Sequence, residues 1–214
     1  MTEHALREEV VGVAQAIDRA GFCPSKSGNV SARLGEGFLV TPSGLPYART
    51  TPADLLHLSL DGSVIAGERK PSSEWPFHAA IYRARPDAKA IVHTHSPRAT
   101  ALSCTRRGIP AFHYMIALCG GADIRCADYA TFGTPELAEN AVKALEGRKA
   151  VLLANHGVIA LGGSLAGAHQ IVAEVENLAG QYLDILAAGL KPAILDDAEM
   201  ERVSARFAGY GKVG

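Results

Sequence analysis

Apolar residues recur at helical spacing at the start of the chain. Leu6, Val10, Val13 and Ile17 fall on one face between charged positions, which predicts an amphipathic helix over 3–20 with Gly21 as its stop. The period then shortens. Asn29 to Arg33 and Gly37 to Thr41 read as paired strands across Leu34-Gly35-Glu36, and Thr41-Pro-Ser-Gly44 reads as a turn. Leu55 to Leu60 is strand-like, and Asp61-Gly62 signals a hairpin into Ser63-Val-Ile-Ala66. Ser72 or Ser73 is the expected cap of a helix to about Arg85, with Pro76 tolerated in its first turn.

The second half continues with an apolar, β-branched strand, Ala90-Ile-Val-His-Thr-His95, and a short helix from about Pro97 to Cys104. Residues 108–133 read as irregular. Thr134-Pro135-Glu136 opens a helix that ends at Gly147. Two apolar strands flank Asn155-His156-Gly157. Ser164 opens the longest helix, to about Ala188, and Asp196 or Asp197 caps a last one to about Phe207. Strands cluster centrally and helices bracket them without regular alternation, which predicts a mixed or largely antiparallel sheet with helices on its faces.

Composition narrows the function classes. The 214 residues show no Pro-, Gly- or Ser-rich linker, so one domain over 1–214 is expected. The net charge of −1, without a long basic run, argues against a nucleic-acid or anionic-membrane surface but leaves room for a local anion site. Cys23, Cys104, Cys119 and Cys126 form no C-x-x-C pair and are expected as buried thiols. No apolar run approaches spanning length, and the acidic start lacks a signal-peptide core; a cytoplasmic location is expected.

The candidate chemistry lies in the histidines. Side chains on a strand alternate with period two, so His93 and His95 point the same way. His156 ends another strand. Three imidazoles on one cation leave a position for substrate, as catalytic sites require. Zinc is the first choice for this donor set, with manganese, cobalt and iron open. Three small-residue turns accompany them: Ser27-Gly28-Asn29, Thr41-Pro42-Ser43-Gly44 and Pro71-Ser72-Ser73. With their hydroxyls, amides and accessible backbone N–H groups they read as a phosphate cradle; Ser72 and Ser73 also stand at a helix N-terminus, where an anion is favoured. No Walker or Rossmann fingerprint occurs. Glu74 heads the same helix, and a carboxylate there either complements the helix N-terminus or serves the metal as ligand or base. His78, one turn on, is expected as a supporting or core residue.

Taken together, Ser27-Gly-Asn-Val-Ser-Ala-Arg33, Thr41-Pro-Ser-Gly-Leu-Pro-Tyr47, Pro71-Ser-Ser-Glu-Trp75, His93-x-His95 and Asn155-His156-Gly157 resemble the class II aldolase/adducin family. The likeness runs from about residue 5 to 211. Its nearest part is the branch that cleaves L-fuculose 1-phosphate, supported by Ile109 to Ile116, Tyr129 to Thr134 and Gly209-Tyr-Gly211. The resemblance implies a three-layer α/β/α sandwich and a homotetramer with active sites between subunits. It implies one zinc ion on His93, His95 and His156, with Glu74 completing the resting coordination and then acting as acid/base. Gly28, Asn29, Ser43, Gly44, Ser72 and Ser73 would hold the substrate phosphate, and Tyr114 and Tyr210 the leaving aldehyde oxygen. The implied reaction is retro-aldol cleavage of a ketose 1-phosphate to dihydroxyacetone phosphate and an aldehyde.

Within the family, an aldolase for 5-deoxyribulose or methylthioribulose 1-phosphate differs only around the aldehyde tail. A sugar-acid phosphate decarboxylase, a methylthioribulose-phosphate dehydratase and a pentulose-phosphate 4-epimerase are further relatives; the epimerases carry aspartate where Glu74 stands. A non-catalytic adducin-like interaction domain predicts loss of the histidines or Glu74, and all four are present. Lys26 departs from the small hydroxyl residue usual in the nearest relatives; it is expected to be solvated, with a contact to the phosphate as the alternative. A zinc hydrolase lacks its H-E-x-x-H signature here.

Overall fold

A computed structural model describes residues 2–209, and Tyr210 therefore lies outside the described residues. Eight described strands form one sheet in the order β4-β3-β2-β1-β5-β8-β7-β6. They are β1 (Asn29–Leu34), β2 (Gly37–Val40), β3 (Leu56–Ser59), β4 (Val64–Ala66), β5 (Ala90–Thr94), β6 (Arg125–Ala127), β7 (Ala150–Leu153) and β8 (Gly157–Gly162). Every neighbouring pair is antiparallel except β6 with β7. Short hairpins join β1 to β2, β3 to β4 and β7 to β8, as loops of a few residues between antiparallel strands allow.

The alternation of side chains divides the core into two layers. Val30, Ala32, Val92 and Val158 face one side. There they meet α1 (Glu3–Arg19), α3 (Pro97–Ser103), α5 (Leu165–Ala187) and Met200 of α6 (Asp197–Gly209). Phe38, Val40, Ile91, Ile159 and Leu161 face the other side, against α2 (Trp75–Ala84) and α4 (Pro135–Ala144). This is the expected three-layer α/β/α arrangement. Thr2, Thr134 and Ser164 cap α1, α4 and α5 with side-chain oxygens. No described helix is long and apolar enough to cross a membrane.

Three local expectations are corrected. Residues 108–133 are not wholly irregular: they contain a 3-10 helix, Tyr114–Cys119, and the edge strand β6. Three residues of strand carry too little pattern to register in a sequence. Neither Ser72 nor Ser73 occupies the cap position of α2. Glu74 does, and its side chain makes no cap hydrogen bond. Cys104 is exposed and Cys126 half-buried, whereas Cys23 and Cys119 are buried.

β5 and β8 approach closely at Gly157, where β8 leaves the turn that carries His156. A Cβ built there would lie 2.4 Å from the Thr94 carbonyl oxygen on β5 and 3.1 Å from the His95 ring. Overpacking against backbone cannot be relieved by a rotamer change. Gly157→Ala is expected to lower unfolding stability by about 1–3 kcal/mol in urea titration. Gly163→Ala, whose Cβ would meet nothing within 4 Å, should stay within about 1 kcal/mol of the parent.

Candidate metal centre and its cleft

Four donor residues converge at one end of the sheet. His93 is the fourth residue of β5 and is fully buried; His95 follows just past the strand and is partly exposed. Period-two alternation brings their Nε2 atoms to 3.0 Å. His156 comes from the β7–β8 turn. That turn is held by Asn155 in the left-handed region (φ 55°) and by two contacts with Ser103: Asn155 N–H donates to its carbonyl and His156 N–H to its hydroxyl. Glu74 arrives from the head of α2. Its backbone sits at φ −98°, ψ 8°, in the sparsely populated bridge region. From there the carboxylate turns inward instead of capping the helix.

Glu74 Oε2 lies 3.2 Å from His93 Nε2, and Oε1 lies 3.0 Å from His156 Nε2. One ligand atom from each of the four residues fits within a 4.8 Å span. Ligands about 2.0–2.1 Å from a tetrahedral zinc would stand roughly 3.3 Å apart, close to these separations. The hydrogen-bond pattern fits the same use. His93 Nδ1–H donates to the Val158 carbonyl at 2.9 Å, so Nε2 carries the lone pair and aims it at the cluster. Glu74 Oε1 is buried and has no hydrogen-bond donor. Lone pairs facing one another at 3.0–3.2 Å repel unless a cation or proton lies between them.

The electrostatics agree. Burial opposes the charge on Glu74, yet positive charge on the His93 and His156 side, a proton on those rings in the place a bound cation would take, holds its carboxyl well below the usual carboxylate range. Burial, and then the neighbouring His93 and His156, push the His95 imidazole down to about 3. A neutral imidazole is the form that binds metal.

The cluster opens into a cleft of about 300 Å³ that all three expected turns line, with Gly28, Asn29, Ser43, Gly44, Ser72 and Ser73 at its edge. Gly28 has φ +88°, and a Cβ there would lie 2.7 Å from the His93 carbonyl oxygen, so only glycine lets this turn pass so close to the metal strand. The buried Asn29 places its amide between two walls: Nδ2 donates to Ser72 Oγ at 3.1 Å and to Glu74 Oε2 at 2.9 Å. Ser72 Oγ also accepts the Glu74 N–H at 3.3 Å. With both its lone pairs engaged, the Ser72 hydroxyl proton is free to donate into the cleft.

Sequence reasoning left parts of this cleft unassigned. Lys26 lines it as an exposed cation with left-handed backbone (φ 64°). Tyr129, Ala130 and Phe132 form a second wall, Tyr129 and Phe132 being large and exposed. An apolar pair exposed in an otherwise polar loop was the available signal. Tyr114 is not brought to the histidines of its own chain. It is 51% exposed, stacks on His113, and lines a separate cavity of about 880 Å³ between the 3-10 helix and α6.

Comparison with known proteins agrees with the geometry. Residues 8–183 match the family described as Class II Aldolase and Adducin N-terminal domain. The chain is 49% identical over 207 residues to a 5-methylthioribulose-1-phosphate/5-deoxyribulose-1-phosphate aldolase of Rhodospirillum rubrum, covering 97% of this chain and 93% of that one. It is 43% identical over 211 residues to the L-fuculose phosphate aldolase of Escherichia coli K12, covering 99% and 98%. A solved L-fuculose 1-phosphate aldolase superposes with a TM-score of 0.93 at 40% identity, covering 97% of this chain and 98% of that one. With its fold and its donor cluster both in place, the chain belongs to the class II aldolase and adducin family, among its aldolases.

Proposed function

We propose that this protein is a zinc-dependent aldolase that cleaves a ketose 1-phosphate carrying an uncharged aldehyde half into dihydroxyacetone phosphate and that aldehyde. The observation that carries the reading is the convergence of Glu74 with His93, His95 and His156 at the floor of a cleft lined by three phosphate-type turns. A divalent cation on the three imidazoles, zinc by the donor set, supplies Lewis acidity toward the carbonyl and hydroxyl oxygens of the sugar.

The chain's own groups divide the remaining work. The Ser72 hydroxyl, Ser73, Ser43 and the turns at Gly28, Asn29 and Gly44 hold the phosphate, and Lys26 adds a positive charge at the rim. Anchoring the unreactive end fixes the reacting carbons against Glu74. In cleavage the C3–C4 bond breaks, the C4 hydroxyl loses its proton and becomes the aldehyde, and C3 takes a proton. Glu74 is the acid/base at C3. Its ionised resting state, maintained by the imidazoles, suits it to remove that C3 proton in the synthetic direction. Tyr129, Ala130 and Phe132 form the wall against the aldehyde half, and their apolar surface favours a deoxy or thioether tail over a charged one. L-fuculose, 5-deoxyribulose and 5-methylthioribulose 1-phosphates all meet that description.

The assembly proposed is a homotetramer whose sites lie between copies. Tyr114, exposed and turned from its own histidines, is suited to reach a neighbouring copy's aldehyde pocket. There it would hold the proton at the C4 oxygen, with Tyr210 in the same role. A cytoplasmic location is proposed with it.

Released dihydroxyacetone phosphate should appear with one or more of those three ketose 1-phosphates and not with L-ribulose 5-phosphate. The pure protein should hold about one zinc per chain by elemental analysis; chelation should abolish release and added zinc restore it. A metal-free preparation with full turnover would overturn the mechanism. Glu74→Gln should retain metal yet lose at least about 10²-fold in kcat, the scale of a general acid/base; unchanged kcat removes Glu74 from that role. Tyr114→Phe and Glu74→Gln chains, each impaired alone, should recover activity when co-expressed, because a hybrid interface contains one intact site. No recovery in hybrids shown by mass spectrometry to have formed would place Tyr114 elsewhere.

A further inference from the structure

Behind Glu74 lies a row of buried polar groups of which only Asn29 has a part in the proposed reaction. Tyr82 OH is 2.8 Å from Ser31 Oγ; Ser31 Oγ is 2.7 Å from His78 Nδ1; His78 Nε2 meets Asn29 Oδ1; and Asn29 Nδ2 donates to Glu74 Oε2 at 2.9 Å. Ser31 and His78 are wholly buried, and Tyr82 and Asn29 nearly so. Two periodicities make the row. Asn29 and Ser31 share one face of β1, and His78 and Tyr82 stand four apart on the facing side of α2. Arg33, next on that face of β1, stacks its guanidinium 4.7 Å from the centre of the Tyr82 ring and donates to the Tyr82 carbonyl at 2.7 Å.

The direction of every bond follows from its last acceptor. An ionised carboxylate only accepts, so Asn29 must present its amide nitrogen to Glu74 and its oxygen to His78. The amide oxygen only accepts, so His78 carries its proton on Nε2. Nδ1 is then an acceptor, filled by the Ser31 hydroxyl, whose oxygen in turn accepts from Tyr82. The bonds of the row run in one direction, from the Tyr82 hydroxyl to Glu74, while the second Asn29 N–H serves Ser72.

We propose that His78 is a positioning residue: held in one tautomer by Ser31 and Tyr82, it locks the Asn29 amide in the orientation that keeps the Glu74 carboxylate aimed into the site. This rests on the reading of Glu74 as the acid/base. Without a donor at Nε2 the buried Asn29 oxygen loses its partner, and the amide can turn to put that oxygen against the carboxylate. The tautomer of His78 is thus read out, through one amide, as the aim of a carboxylate two residues away in the chain of bonds.

The test compares His78→Phe, which fills the space without hydrogen bonds, with His78→Gln, which keeps an N–H donor near the place of Nε2. The substrate is L-fuculose 1-phosphate or 5-deoxyribulose 1-phosphate, whichever is turned over faster. His78→Phe should lower kcat by about 10- to 100-fold, the range found for groups that orient active-site residues. Zinc content should not change, because the imidazoles are untouched, and KM should rise by less than kcat falls, because Gly28, Ser43, Gly44 and Ser73 keep their places even where Asn29 and its bond to Ser72 are disturbed. His78→Gln should recover at least half of that loss on a logarithmic scale. Equal losses in both variants, or an unchanged kcat in His78→Phe, would overturn the proposal. On a Glu74→Gln background, His78→Phe should change residual turnover by less than about threefold, since coupled groups are not additive. A full additional loss there would show that His78 does not act through Glu74, whereas full activity of Glu74→Gln alone would remove the underlying reading instead. Should His78→Phe fail to fold, Ser31→Ala takes its place, with an expected three- to tenfold fall in kcat at steady KM; no fall would overturn the chain.

Discussion

A carboxylate taken out of water among imidazoles must be compensated from every side or it will protonate and cease to be a base. Glu74 is that carboxylate, and much of the surrounding structure can be understood as its compensation. The antiparallel register that pairs His93 with Asn29 across β1 and β5, and with Ile159 across β5 and β8, sets the Asn29 amide on one flank of His93 and the Val158 carbonyl, which accepts its Nδ1–H, on the other. The head of α2 delivers the carboxylate in a bridge-region conformation, giving up a side-chain cap to do so. The Asn29 amide donates to one oxygen, while the other meets only the His156 ring. The oxygen left without a hydrogen-bond donor, Oε1, is buried beside the His156 ring. A buried charge so arranged has one fixed bond behind it, from Asn29, and only imidazoles on its other side.

How much of this is legible in the chain depends on the kind of pattern. Strand alternation is a two-residue rule, and His93-x-His95 obeyed it: the two Nε2 atoms meet although only His93 lies within the strand. Caps and turn residues marked α1, α4 and α5 because Thr2, Thr134 and Ser164 act within three residues of themselves. Ser72 failed the same rule for a tertiary reason. Its hydroxyl is occupied by Asn29, distant in sequence, and the carboxylate beside it has a stronger attraction in the histidines. The wall of Tyr129, Ala130 and Phe132 lay in a segment without periodicity, so nothing local assigned its orientation. Tyr114 is a different case. It begins a short 3-10 helix, and the fold sets it at a separate cavity beside α6, away from the donor cluster. The polar row from Tyr82 to Asn29 was visible in principle, as hydrophilic residues two apart on one buried strand and four apart on the helix above it. Only the sheet order shows that these two elements face each other.

The division between rigid and irregular elements also bears on why relatives with differently named substrates stay so alike. The metal strand, the phosphate turns and the polar row behind Glu74 are tied to the five strands β2-β1-β5-β8-β7 at the middle of the sheet, where a shift of one position would turn a whole set of side chains to the wrong face. They serve the half of the substrate that every ketose 1-phosphate shares. The wall that meets the variable half hangs on the loop between β6 and α4, at the sheet's edge. Loop positions tolerate change with little effect on the core. A change of aldehyde therefore asks for substitutions around residues 129–132, while the donor cluster stays on groups that cannot move independently. The variable wall and the donor cluster are thus separable in the fold, and the joint between them is the cleft edge at Ser72, where the Asn29 amide and the Glu74 backbone share one hydroxyl oxygen.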